Sequence, residues 1–274
     1  AAELRRTEGV VQVNPPRSLP SGDTVIEAIS ANPYISEESR ETVARVQEIS
    51  PPPGATLLVT GATAEFLDFQ QSLEEHLPIA VAIIVGATLI VLFLMTGSVV
   101  LPVKQLLMNV LNLSAVFGIL VLIFQDGRLE GLLDYRSQGA LEQTMPILLF
   151  AVAFGLSTDY GVFLLSRIKE ARDAGASDSE CVAIGLERTG RIVTAAAILF
   201  AIAIGAFATS QIVFIKQNGI GTALAVLIDA TIIRALLVPS LMELLGHWNW
   251  WAPRPLRKLH HRIGLSETAP ARGT

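Results

Sequence analysis

The chain has 274 residues, of which 51% are hydrophobic and 16% are charged, and its formal net charge is −5. Soluble domains carry about 25% charged residues, so this composition indicates that most of the chain lies in a membrane. The negative charge gives no electrostatic basis for binding nucleic acid, and the single cysteine excludes an intrachain disulfide.

Residues 1–76 are predicted to form a small α/β unit with an acidic surface, because they contain twelve Asp/Glu and only five Lys/Arg. Patterns of β-branched, acidic and turn-forming residues predict strands at 10–13 and 23–29, a helix from Ser36, a strand at 56–60 and a helix at 62–76. This order matches a partial split βαβ module of the ferredoxin-like kind that lacks its opening strand. We therefore expect the segment to belong to a longer polypeptide.

Five apolar segments follow, and each is long enough to cross a bilayer, which takes about 20 residues as a helix. They lie at 77–96, 101–124, 144–167, 192–211 and 217–245. Backbone groups in lipid must be hydrogen-bonded within the segment, which favours helices. The sequence thus predicts a mainly α, polytopic membrane protein, with the α/β unit at 1–76, a five-helix bundle at 77–246 and a basic tail at 247–274.

Lys and Arg are concentrated on one side of the predicted bundle. Eleven lie in or beside the loops on the side of the C-terminus, and three lie in short loops on the opposite side. By the positive-inside rule, residues 1–76 are expected outside the cytoplasm and the C-terminus inside it. Residues 255–263 (PLRKLHHRI) allow two interpretations, a basic amphipathic segment on lipid headgroups or a loose cytoplasmic tail. His260 and His261 fit this basic segment, and no second set of ligands accompanies them to predict a metal site.

Asp159 lies inside the third apolar segment, where an ionisable side chain costs about 2.5–3.5 kcal/mol on insertion scales. Such residues usually face the interior of a bundle and serve protons, ions or structural pairing. Tyr160 follows directly and supplies a hydroxyl that can donate and accept a hydrogen bond. The residues alone leave two alternatives open, a functional carboxylate and one that only ties helices together.

The last apolar segment contains a second acid near mid-membrane, Asp229, on a face lined with small residues. Small residues at four-residue spacing let membrane helices approach closely. Asp229 could relay protons, bind a cation or pair structurally, and Arg234 can meet an acid or reach towards the interface. Asn109 and Asn112 are spaced i and i+3 on the second segment. They are expected to form interhelical hydrogen bonds, with a solvated channel as the alternative.

Motifs for common enzymes are missing from the sequence. It has no phosphate-binding glycine loop, no spacing of zinc ligands and no nucleophile elbow. We therefore expect neither enzymatic activity nor a cofactor.

Three strings carry a resemblance to a known family: GLSTDYGVFLLSRIKEARDAG (155–175), ERTGRIVTAAAILF (187–200) and AVLIDATIIRALLVPSLMELLGHWNWWAP (225–253). In this order they resemble the C-terminal half of the MMPL family, which belongs to the resistance-nodulation-division (RND) transporters of bacterial inner membranes. The resemblance covers nearly all of residues 1–260. It implies twelve helices in two similar halves, of which these five would be the eighth to the twelfth. Residues 1–76 would then be the end of the second periplasmic porter domain.

The resemblance also implies a function, proton-motive-force-driven export of lipids or hydrophobic small molecules. Asp159 and Tyr160 match the proton-relay pair of the tenth helix, whose Asp-Tyr partner lies in the N-terminal half of the same protein or in an equivalent subunit. Asp229 and Arg234 match a motif of the twelfth helix and are expected to be a secondary relay or a structural polar pair. The expected partners are protons, membrane lipids and a hydrophobic or lipid substrate.

Two other classes of protein use comparable intramembrane acids. The chain could be a membrane sensor that has the bundle without transport activity. It could also be an accessory subunit for protein translocation. Export coupled to a pH gradient distinguishes a transporter from a sensor, and co-purification with a translocation channel would favour the accessory subunit.

Overall fold

The computed structural model describes residues 1–137 and 139–263. The chain divides into two compact units. The first comprises Ala1–Pro78 and Val121–Gln143, and the second comprises Ile79–Leu120 and the described part of Thr144–Thr274.

The first unit contains two antiparallel sheets of two strands each. Strand β1 (Val10–Val13) pairs with β4 (Ala28–Ser30), and β2 (Arg17–Ser18) pairs with β3 (Thr24–Val25). Helix α1 (Glu37–Gln47) begins after Ser36, whose side chain accepts a hydrogen bond from the backbone N–H of Ser39 at 3.3 Å. The helix start predicted at Ser36 is therefore confirmed. A short helix, α4 (Glu130–Leu133), completes the unit.

The strand predicted at 56–60 is wrong, because these residues have no regular secondary structure. Leu58 is 86% exposed. A run of apolar and β-branched residues forms a strand when it pairs with a neighbour and packs one face, and residues 56–60 have neither in the described part of the chain.

The five predicted membrane helices are confirmed, because the structure has five helices that are long and apolar enough to cross a membrane. They are α2 (Ala62–Thr96), α3 (Val100–Leu120), α5 (Met145–Asp173), α6 (Asp178–Gly205) and a last helix in three parts. Helix α3 continues into a π-helical turn at Val121–Gln125. The last helix consists of α7 (Val213–Ile228), a π-helical segment (Asp229–Leu237) and α8 (Val238–Leu245). The chain is thus mainly α and polytopic, as predicted.

Helix α6 begins fourteen residues before its predicted apolar segment, at Asp178 instead of residue 192. A capping box explains this start, because the Ser177 side chain accepts from the Glu180 backbone while the Glu180 carboxylate accepts from the Ser177 backbone. The intervening turns are polar, so hydropathy alone does not detect them.

Small residues allow close helix packing in the second unit, and their spacing predicted this for the last membrane helix, which contains Gly221. A methyl group on Gly185 of α6 would lie 2.4 Å from Ile168 Cγ1 of α5, and one on Gly221 of α7 would lie 2.8 Å from Leu120 Cδ1 of α3. Lys104, one of the eleven basic residues counted on the side of the C-terminus, lies in α3 and is buried. Its side chain therefore does not contribute to the basic surface used to predict orientation.

After α8 the chain forms a 3-10 turn at Gly246–Trp250 and a final described helix, α9 (Arg254–Ile263). The rest of the predicted tail, including Arg272, lies outside the described residues.

Candidate functional site: a buried polar cluster joining three membrane helices

Asp229 and Arg234 form a buried ion pair in the middle of the last membrane helix. Arg234 Nε lies 2.7 Å from Asp229 Oδ2, and each side chain is only 6% exposed. Residues five apart in an α-helix point about 140° away from each other, because each residue turns about 100°. The π-helical segment Asp229–Leu237 hydrogen-bonds from i to i+5 and so stacks the two residues on one side. The local change of helix type therefore creates the pair.

Ser157 connects this ion pair to α5. Its hydroxyl Oγ lies 2.7 Å from Asp229 Oδ1 and 2.8 Å from Asn109 Oδ1 of α3, and the residue is 2% exposed. The Ser157 carbonyl accepts a hydrogen bond from Arg234 Nη2. A single serine thus links α3, α5 and the last helix at the same depth.

Amide side chains extend the cluster along α3. Gln105 Nε2 donates to Asn109 Oδ1 at 3.1 Å, and Asn109 Nδ2 donates to Thr158 Oγ1 of α5 at 3.1 Å. One helical turn away from Asn109, Asn112 Nδ2 donates to the Ala225 carbonyl of α7 at 3.2 Å. The interhelical hydrogen bonds predicted for Asn109 and Asn112 are therefore present.

Arg234 also contacts Tyr160, because its guanidinium carbon lies 5.3 Å from the centre of the tyrosine ring. This distance is within the range of a cation–π interaction. The sequence predicted two separate pairs. Tyr160 was paired with Asp159, and Arg234 was paired with Asp229. In the structure Tyr160 and Arg234 are neighbours.

Asp159 lies apart from the cluster. Its side chain is exposed on α5, whereas Ser157, two residues earlier, is buried. Among the described residues of the bundle, Asp229 is therefore the buried acid, and Asp159 is on the surface of the second unit.

A small cavity of about 50 Å³ reaches Arg234 from the side of α6. Its lining includes Thr189, Gly190 and Thr194. Arg234 Nη1 is buried and has no hydrogen-bond partner among the described residues. Gly190 and Thr194 also line a wider open groove of about 460 Å³ beside Arg191. The buried guanidinium thus adjoins a cavity that shares its outer wall with a surface groove.

Sequence reasoning missed Ser157, Gln105 and Thr158. A signal for Ser157 was present, because Ala153, Ser157 and Gly161 are small residues four apart and therefore share one face of α5. A methyl group on Gly161 would lie 2.7 Å from the Gln105 side chain, so that face does pack against α3. Gln105 and Thr158 gave no comparable signal. Among the described residues, no three His, Cys, Asp or Glu side chains converge on a point that could hold a metal ion.

Comparison with known proteins identifies the family of the chain. The model of the MMPL family matches residues 28–268. The chain belongs to the MMPL family. Its relatives include the membrane protein SCO6666 of Streptomyces coelicolor, 46% identical over 84% of this chain and 32% of that protein. The trehalose monomycolate exporter MmpL3 of Mycobacterium tuberculosis is 44% identical over 84% of this chain and 24% of its own length.

A third relative is the mycolic acid-containing lipids exporter MmpL11 of Mycolicibacterium smegmatis, 34% identical over 98% of this chain and 28% of its own length. The chain thus spans about a quarter to a third of the length of these relatives. Family membership and the five apolar helices together identify a multi-pass membrane protein.

Proposed function

We propose that this MMPL chain is part of a proton-driven exporter of lipids or hydrophobic small molecules across the bacterial inner membrane. The observation that carries the proposal is the buried Asp229–Arg234 pair, which hydrogen-bonds through Ser157 to two further helices. Ionisable residues at this depth are costly and usually functional. Relatives named as exporters of trehalose monomycolate and of mycolic acid-containing lipids support the substrate class.

The cluster has two hydrogen-bonding states that differ by one proton on Asp229. Ser157 has one hydroxyl hydrogen but two acceptors within reach, Asp229 Oδ1 and Asn109 Oδ1. When Asp229 is ionised, the hydroxyl donates to the carboxylate. When Asp229 is protonated, it can donate to Ser157 Oγ, and the Ser157 hydroxyl then turns to Asn109. Protonation thereby changes the bonds between helices, and such a change shifts a conformational equilibrium.

Asp159 and Tyr160 supply the outer part of the proposed relay. Asp159 is exposed on this chain, and its side chain is available to a second half-bundle or subunit that carries its own Asp-Tyr pair. Tyr160 follows Asp159 in the chain and contacts Arg234, the partner of Asp229, so it lies between the two parts of the proposed relay. We propose that protons pass between the Asp159 site and the Asp229 cluster during the transport cycle.

The cavity beside Arg234 provides the proposed water access to the cluster. One water occupies about 30 Å³ in the liquid, so the cavity of about 50 Å³ has room for one. Such a water would satisfy Arg234 Nη1, which has no partner in the described chain. The groove beside Gly190 and Thr194 would connect that water to the surface of the bundle.

The direct test uses the complete protein that contains this chain, reconstituted in liposomes with a fluorescent lipid substrate and an internal pH indicator. We expect lipid movement only when a pH gradient is imposed, together with proton flow in the opposite direction. A sensor would show neither, and a translocation accessory would show no lipid movement. Equal lipid movement with and without the gradient would contradict proton coupling.

A further inference from the structure

Helix α9 separates cationic and apolar side chains onto opposite faces. At about 100° per residue, its four cationic side chains cover about 140° of the helix, and the apolar ones occupy about 60° on the far side. The cationic residues are Arg254, Arg257, Lys258 and Arg262, and all are exposed. The apolar residues are Leu256, Leu259 and Ile263. Leu259 is 44% exposed and Ile263 is 54% exposed, so the protein itself covers this face only in part.

The cationic face of α9 is not neutralised within the described chain. There is no Asp or Glu from residue 254 to residue 263. Among the described residues, none of these cations forms an ion pair with an acid, although Arg257 Nη2 makes a long contact of 3.5 Å with the Ala252 carbonyl. This surface therefore has the charge that attracts anionic lipid headgroups.

The residues next to α9 favour a position at the membrane–water interface. Trp248 and Trp251 precede the helix and are 55% and 45% exposed, and exposed indoles favour this level of a membrane. The backbone N–H of Val99, between α2 and α3, donates to the Trp251 carbonyl at 3.1 Å. The start of α9 is thus fixed next to the ends of two membrane helices.

His260 joins α9 to the end of α2. Its Nε2 lies 3.1 Å from the Leu94 carbonyl, and its ring packs edge-on against Phe93 with centroids 5.9 Å apart. Leu94 is in the last turn of α2, where carbonyls have no partner within the helix. Gly97 makes room for the contact, because a methyl group there would lie 2.9 Å from His260 Cε1.

We propose that α9 binds the anionic phospholipid headgroups of the membrane surface at which α2 ends, and that His260 fixes the end of α2 to this lipid-bound helix. The apolar face lies against the acyl chains and the basic face against the headgroups. The last carbonyls of α2 carry partial negative charge, so a histidine donor is favourable there. Only 11% of the most apolar stretch of α2 is buried against the rest of the protein. The contact with His260 therefore attaches a helix that has few packing contacts of its own. The inference does not depend on transport.

The test measures hydrogen–deuterium exchange of the complete protein in nanodiscs of phosphatidylcholine alone and of phosphatidylcholine mixed with phosphatidylglycerol. We expect the amides of α9 to exchange about tenfold more slowly in the anionic discs. The triple variant Arg254→Gln/Arg257→Gln/Arg262→Gln should lose this difference. The matched control Arg5→Gln/Arg6→Gln/Arg17→Gln, which changes three exposed arginines of the first unit, should keep it.

Equal exchange in both lipids, or an undiminished difference in the triple α9 variant, would overturn headgroup binding. The contact between His260 and the end of α2 is tested separately, by the hydrogen–deuterium exchange rate of the amides at residues 93–97. His260→Ala should accelerate it, whereas His260→Gln, which retains a donor nitrogen, and His261→Ala should leave it near the unmodified rate. Unchanged exchange in His260→Ala would overturn the proposal that His260 fixes the end of α2.

Discussion

At the scale of single residues, the contribution of the Asp229–Arg234 ion pair to stability can be separated from its contribution to export. Breaking a buried pair by removing one partner typically costs about 3–5 kcal/mol, whereas replacing both with apolar residues of similar size is often neutral. We expect Asp229→Leu to lower the melting temperature of the complete protein strongly. The double variant Asp229→Leu/Arg234→Met should recover most of the stability but none of the export.

Thermal unfolding and the liposome export assay, applied to the same preparations, check this expectation. Export by the stable double variant would mean that the pair only holds helices together. A double variant as unstable as Asp229→Leu would mean that the two side chains do not act mainly on each other.

Part of the site could be predicted from the residues alone, and part could not. An acid within an apolar segment is visible in any sequence, so Asp159 and Asp229 were found. The resemblance paired Asp229 with Arg234, but helix periodicity alone does not predict their contact, because side chains five residues apart in an α-helix diverge. The π-helical segment that unites them depends on packing in three dimensions. Ser157 gave only the weak signal of its small-residue face.

At the scale of helices, close packing between α5 and α6 depends on Gly185. An added methyl group would lie 2.4 Å from Ile168 Cγ1 and within 3.4 Å of its backbone, and Ile168 is fully buried. Overpacking of this kind typically costs about 1–3 kcal/mol. We expect Gly185→Ala to lower the melting temperature, measured in detergent.

Gly190 on the same helix is the matched control for Gly185, because a methyl group there meets nothing within 4 Å. Alanine favours a helix over glycine by about 0.8–1.0 kcal/mol, so Gly190→Ala should not reduce stability. A similar loss of stability in both variants would show that flexibility of α6, and not its contact with α5, explains the effect.

A larger side chain at Gly190 tests the water access proposed for Arg234. Gly190 borders both the cavity and the groove, so leucine would obstruct the connection between them. We expect Gly190→Leu to slow proton flow and export while the melting temperature stays unchanged or rises. Gly118→Leu is the comparison, since Gly118 of α3 also has free space around it. Undiminished proton flow in Gly190→Leu would exclude this route.

Helices were easier to predict than their limits or the strands. A membrane helix requires only a long apolar run, so all five were found. The polar turns at the ends of such helices depend on capping residues such as Ser177, and hydropathy does not detect them. The strand at 56–60 failed because a strand is stable only through pairing, and pairing is a property of the tertiary structure.

At the scale of the whole molecule, the distribution of charge predicts an orientation in the membrane. Burial of Lys104 removes one of the basic side chains from this argument, but the arginines near the end of α5, in the first half of α6 and in α9 remain. We expect residue 21 to face the outside and residue 179 the cytoplasm. Single cysteines placed there, with Cys181→Ala, should react from outside intact cells in Ser21→Cys and only after lysis in Ser179→Cys. The opposite pattern would invert the proposed direction of transport.

The central claim is that export depends on a proton carried by Asp159 together with the buried Asp229 cluster. The most direct measurement is proton flow and lipid export by the complete protein carrying Asp159→Asn, in liposomes under a pH gradient. Because asparagine has almost the same size as aspartate and still forms hydrogen bonds but carries no exchangeable charge, we expect near-normal stability with both activities abolished. Asp173→Asn, at the end of the same helix, should retain both. Export at the unmodified rate in Asp159→Asn would contradict the claim.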